Sequence, residues 1–94
     1  MRKIEIADLV AKKVGLTKAK TEEAVEEILH QIKTALSQGE DVVLRRFGTF
    51  RVRQKSARIG RNPKTGEEAE IAARRVVRFY ASKNLKAMVD GESS

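Results

Sequence analysis

At 94 residues the chain has room for one small domain with a limited core. It contains no cysteine, which excludes disulfides, thiolate metal sites and cysteine nucleophiles, and its formal charge is +7, from 20 basic and 13 acidic side chains. No apolar run approaches the ~20 residues of a membrane span or the apolar core of a signal peptide, so a soluble, unexported chain is expected.

The charge is unevenly placed. Residues 1–44 hold 7 basic and 8 acidic groups, whereas residues 45–86 hold 13 basic groups against only Glu67, Glu68 and Glu70. Such a division describes a near-neutral scaffold joined to a polyanion-binding surface, in preference to a merely solvated charged face.

The first half reads as a helical hairpin. Ile6, Leu9, Val10 and Val14 form one apolar stripe at helical spacing. Gly15 is free to take positive φ, Leu16 folds back on the helix end, and Thr17 is the expected N-cap of a second helix. That helix carries Val25, Ile28, Leu29, Ile32 and Leu36 on one face. Glu22, Glu23, Glu26 and Glu27 lie near its start, where acidic groups suit the positive end of the helix dipole. Ser37-Gln38-Gly39 closes it, and His30 is read as a surface or boundary histidine.

From Asp41 the pattern changes to strands. Val42, Val43 and Leu44 form a short β-prone run. Phe50 and Val52 then alternate with Arg51, Arg53 and Lys55, the mark of a strand with one apolar and one basic face. Gly60-Arg61-Asn62-Pro63-Lys64-Thr65-Gly66 is a turn cluster around the single proline. Beyond it Ala69, Ile71, Ala73, Val77 and Phe79 share one parity, and Arg74 and Arg78 the other. Setting Phe50 opposite Phe79 places Lys64-Thr65 at the hairpin tip, flanked by Pro63 and Gly66. It also sets Arg51 against Arg78 and Lys55 against Arg74. Facing like charges destabilise an isolated sheet, so an anion is expected between those rows.

Near its base the hairpin has Phe47, Phe50, Val52, Val77 and Phe79 to cover the helices. Between Arg53 and Arg75 the large apolar residues are Ile59 and Ile71, too few for a core. At about 3.3 Å per residue, Arg53 to Pro63 reaches roughly 35 Å, about one turn of duplex DNA. A protruding arm is therefore expected, with a body so small that a second chain completes its core. Ser82 can N-cap a terminal helix bearing Leu85, Met88 and Val89.

These residues carry a resemblance. Phe47-Gly48-Thr49-Phe50-Arg51-Val52, then Gly60 to Gly66, then Phe79 and Lys83-Asn84-Leu85-Lys86 make the chain similar to the HU and integration host factor family of bacterial nucleoid-associated, histone-like proteins. The likeness covers all but the last few residues. Ala73-Arg74-Arg75-Val76-Val77 looks like the α subunit of integration host factor. Ala72 and Val77 replace prolines usual in the HU branch, and Arg46 and Ser82 stand where glycine is usual.

The resemblance implies an intertwined dimer whose β-ribbon arms grip duplex DNA in the minor groove and bend or condense it. The expected fold is α+β: a helical-hairpin base (3–39), a three-stranded antiparallel sheet extended into a β-ribbon arm (41–80), and a C-terminal helix (82–90). These form one domain over 1–90, with 91–94 as a disordered tail. Spacing alone leaves Pro63 open between a turn former and a wedge; the resemblance makes it the wedge that enters a base step. Arg53, Lys55, Arg58, Arg61, Asn62, Lys64, Arg74 and Arg75 are the remaining arm contacts, and Lys3, Arg45, Arg46, Lys83 and Lys86 the body phosphate contacts. For Asn62, hydrogen bonding at the kink and shaping of the turn both stand open.

Double-stranded DNA and a second copy of the chain are the expected partners, with a paralogous subunit in a site-preferring heterodimer as the alternative. The nucleoid, in the cytoplasm, is the expected location. Single-stranded RNA is disfavoured because Tyr80 is the one candidate stacking residue. An enzyme is disfavoured because one histidine, no phosphate loop and no clustered carboxylates leave nothing to activate a nucleophile or hold a metal. No cofactor, membrane or small-molecule substrate is expected.

Overall fold

The structure, a computed structural model, describes residues 1–91; of the tail expected over 91–94, all but Gly91 lies outside the described residues. The elements run α1 (Lys3–Val14), α2 (Lys18–Ser37), β1 (Val42–Leu44), β2 (Gly48–Lys55), β3 (Arg58–Arg61), β4 (Glu68–Ile71), β5 (Arg74–Ala81) and α3 (Lys83–Val89). They form two compact units, Met1–Thr34 and a second that begins at Ala35, the boundary falling within α2.

In the first unit, α1 starts at Arg2, whose backbone N–H donates to the Glu5 carboxylate at 3.2 Å. It ends at Gly15, in the left-handed region at φ 73°. There the N–H groups of Gly15 and Leu16 both donate to the Ala11 carbonyl, the αL closure that glycine adopts without steric cost. Thr17 caps α2, accepting from the Lys20 N–H at 3.2 Å. The dipole argument for the glutamates fails, because α2 begins at Lys18 and has no acidic residue in its first turn. Glu22 and its neighbours start a turn too late for an effect that fades within one turn.

Little is buried. Ala7, Ala11 and Thr21 are the buried residues of this unit, and the Thr21 hydroxyl donates to the Thr17 carbonyl at 2.9 Å. Of the larger side chains in the expected stripes, Leu9 and Val14 are exposed by 54% and 56% and Ile28 on α2 by 60%, whereas Val25 and Ile32 are half-buried. The amphipathic pattern is real, but much of its apolar face stays exposed.

In the second unit, β1-β2-β5 is a three-stranded antiparallel sheet. Leu44 and Phe47 close the β1–β2 turn with a 2.9 Å backbone bond. Arg46 sits in that turn at φ 68°, a conformation that glycine accepts freely and a side chain enters at a cost of about 1–2 kcal/mol. Phe50 pairs with Phe79, Arg51 with Arg78 and Lys55 with Arg74, the register expected from the sequence. On one face Phe79 meets Phe47 and Phe50, with ring centroids 5.5 and 4.8 Å away. The N–H of Ser82 donates to the Phe47 carbonyl at 2.9 Å, tying the start of α3 to the β1–β2 turn. Ser82 caps α3 as expected, accepting from the Leu85 N–H at 3.0 Å.

The arm differs from the continuous hairpin expected. β3 and β4 form a separate two-stranded sheet, and Ser56-Ala57 and Ala72-Ala73 interrupt the ladder on both strands. Register survives the break, for Arg58 pairs with Ile71 and Arg61 with Glu68 at the offset that holds in β2 and β5.

Candidate nucleic-acid interface

Strand pairing sorts the basic side chains. Arg51, Arg53 and Lys55 on β2 lie opposite Arg78, Val76 and Arg74 on β5, and Thr49 lies opposite Tyr80. These residues share one face of the sheet, because side chains directly opposite in an antiparallel pair point the same way. The guanidiniums of Arg51 and Arg53 lie 5.7 and 5.9 Å from the Tyr80 ring centroid, within reach of cation–π attraction. Arg51 and Arg78 thus join Arg53, Lys55 and Arg74 on a basic surface. The alternation of β2 already signalled Arg51, though it was not among the expected contacts.

At the tip, the Asn62 N–H donates to the Glu67 carbonyl at 2.8 Å and the Gly66 N–H to the Asn62 carbonyl at 2.7 Å. Asn62 Oδ1 accepts from the Lys64 N–H at 2.9 Å, and Thr65 Oγ1 from the Glu67 N–H at 3.2 Å. Gly66 supplies a positive φ of 73°. The Asn62 side-chain oxygen therefore shapes the turn. Pro63 is exposed beside it, where the missing N–H leaves no ladder bond unmade. Arg58 and Lys64 are exposed along the ribbon. Arg61 is exposed too, and it forms a 3.2 Å ion pair with Glu68 across the strands.

Arg45 and Arg46 share a groove with Arg51, Tyr80 and Ser82, and Lys83 and Lys86 are exposed on α3. Two further expected contacts have protein partners. Arg75 points to the opposite face from Arg74, and its Nη1 donates to the Ser37 carbonyl at 3.3 Å. Lys3 is ion-paired with Glu26. That hydrogen bond and the positive charge of Lys3 hold the Glu26 carboxyl below its ordinary value of 4.5.

A depressed carboxylate pKa contributes stability above its unfolded value and loses it as pH falls through the folded value. Glu26→Gln should therefore reduce the loss of stability on the acid side of pH 4.5. The effect should be small, because both partners are solvent-exposed, and thermal melts across pH check it. Among the described residues, no cluster of histidine, cysteine or acidic groups is able to hold a metal, and no helix is long and apolar enough to cross a membrane.

A family model described as "Bacterial DNA-binding protein" matches residues 1–90. The chain is 51% identical over 90 residues to the integration host factor subunit alpha of Azoarcus sp. (strain BH72), covering 96% of this chain and 87% of that one. It is 50% identical to the same subunit of Nitrosospira multiformis, covering 96% and 89%. Among solved structures it is similar to HU in an Anabaena HU–DNA cocrystal, with a TM-score of 0.82 and 43% identity over 95% of this chain and 97% of that one. A mutant HU from Thermotoga maritima follows at a TM-score of 0.69 and 31% identity, covering 95% and 99%.

Proposed function

Because the chain belongs to the bacterial DNA-binding protein family, we propose that its ribbon enters the minor groove of duplex DNA, that Pro63 wedges into a base step, and that the protein bends or compacts the duplex with little sequence preference. The observation that carries this reading is the ribbon itself: a two-stranded arm with Arg58 and Arg61 on β3, rising from a base that is basic on both β2 and β5, whose exposed turn presents a ring without an N–H donor. Unstacking costs a few kcal/mol per step, the general figure for minor-groove benders, among which HU and integration host factor are counted. Phosphate contacts offset it, from Arg53, Lys55, Arg74 and the added Arg51 and Arg78 near the base, Arg58, Arg61 and Lys64 further out, and Lys3, Arg45, Arg46, Lys83 and Lys86 on the body. The reading rests on groove shape and backbone charge and involves no catalysis.

The exposed apolar faces of both units support a dimer, in which a second chain supplies the core that one copy lacks. The structural likeness to HU favours two copies of this chain. The 51% identity to an integration host factor α subunit favours a second reading, one half of a heterodimer that selects sites for transcription or recombination. The nucleoid of the bacterial cytoplasm is the location that fits either.

Energy transfer between dyes at the ends of a short random-sequence duplex tests both. Bending by this chain alone supports the homodimer, whereas binding without a rise in transfer argues for a missing subunit or a required site. Pro63→Ala should lower the transfer at saturation while costing less than tenfold in affinity. An unchanged bend would remove the wedge.

A further inference from the structure

Arg74 and Arg75 are adjacent, equally charged and both exposed, yet the sheet sends them in opposite directions. Arg74 pairs with Lys55 on the basic face. Arg75 pairs with Gln54 on the face that carries Val52, Val77 and Phe79, and reaches the last turn of α2. Its Nη1 donates to the Ser37 carbonyl, and its guanidinium lies over Gly39, so close that a Cβ built there would be 3.4 Å from Nη1. Gly39 has φ 83°, and the N–H groups of Gln38, Gly39 and Glu40 fold back onto Ala35 and Leu36. A helix C-terminus carries partial negative charge and unpaired carbonyls, so a guanidinium is suited to it.

We infer that Arg75 is a positioning residue: it fixes the base of the arm to the C-terminal turn of α2 and does not contact phosphate. Arg75 sits at the second residue of β5, beside the break in the ribbon, so this contact anchors the last paired segment before the arm departs. The inference rests on the proposed DNA bending only for its consequence. The contact itself is a property of the free protein.

The test compares Arg75→Ala with Arg74→Ala in duplex binding over a salt series, with end-to-end energy transfer and amide hydrogen exchange of the free protein. Arg74→Ala should reduce the slope of log K against log salt by about 0.9 per lost phosphate contact. Arg75→Ala should leave the slope unchanged, cost no more than about fivefold in affinity, speed exchange at Gln38, Gly39 and Glu40, and lower the transfer at saturation. A slope reduced as in Arg74→Ala would overturn the inference, as would unaltered exchange or unaltered transfer. Arg75→Gln removes the charge and keeps a donor; should Arg75→Ala fail to fold, its slope decides in the same way. If the wild-type chain does not bind DNA, the proposed function falls, and the exchange rates still judge the anchor.

Discussion

Replacing Gly48 with alanine should destabilise the protein by about 3 kcal/mol, the upper end of the usual range for overpacking, and lower its melting temperature by on the order of 10 °C or more. Gly48 opens β2 and is buried. A Cβ there would lie 2.5 Å from two ring carbons of Phe79 and 2.7 Å from the Tyr80 carbonyl oxygen. The ring has little room to retreat, since it packs against Phe47 and Phe50. The carbonyl belongs to β5, paired with β2 along eight positions, and moves only with its strand. A calorimetric melt within a few degrees of wild type would show that the ring swings aside.

The second large effect concerns the apolar face of α2. Leu29→Asp should abolish the proposed dimer, so that the protein sediments as a single 10.5 kDa chain or unfolds. Leu29 is 39% exposed and Ile28 beside it 60%. A carboxylate buried there without a partner costs several kcal/mol, comparable to the whole stability of a small domain. Sedimentation equilibrium at micromolar concentration measures it, and an unchanged dimer mass would mean that this face is not the interface.

Much of this was legible in the sequence because the signals are local. Thr17 and Ser82 cap the helices they precede, Gly15 closes α1, and a two-residue period fixed the strand register through to the tip. The family resemblance, resting on the run from Phe47 to Val52 and the turn from Gly60 to Gly66, agrees with the family match. What stayed hidden depends on residues far apart or on backbone angles. The two-residue period puts Arg75 with Val77 and Phe79, on the face opposite Arg74, but nothing local signals that it meets Ser37, 38 positions away. Lys3 looks free until Glu26 is brought beside it. The missing glycine before Phe47 was visible, but the left-handed angle that Arg46 adopts was not. Ser56-Ala57 and Ala72-Ala73 contain neither proline nor glycine, so no composition marked the break.

That break omits two residues from each strand, and the pairing offset is the same on its two sides. A ribbon interrupted in this way can change direction without sliding, because slippage by one position would turn every side chain to the opposite face. The length of chain between the sheet and Pro63 is therefore constant, while the angle between the two ribbon segments is left to four residues without ladder bonds. Under the proposed function, a link of this fixed reach would set the position of Pro63 along the groove, and the unpaired residues would leave its direction of approach to the local shape of the duplex.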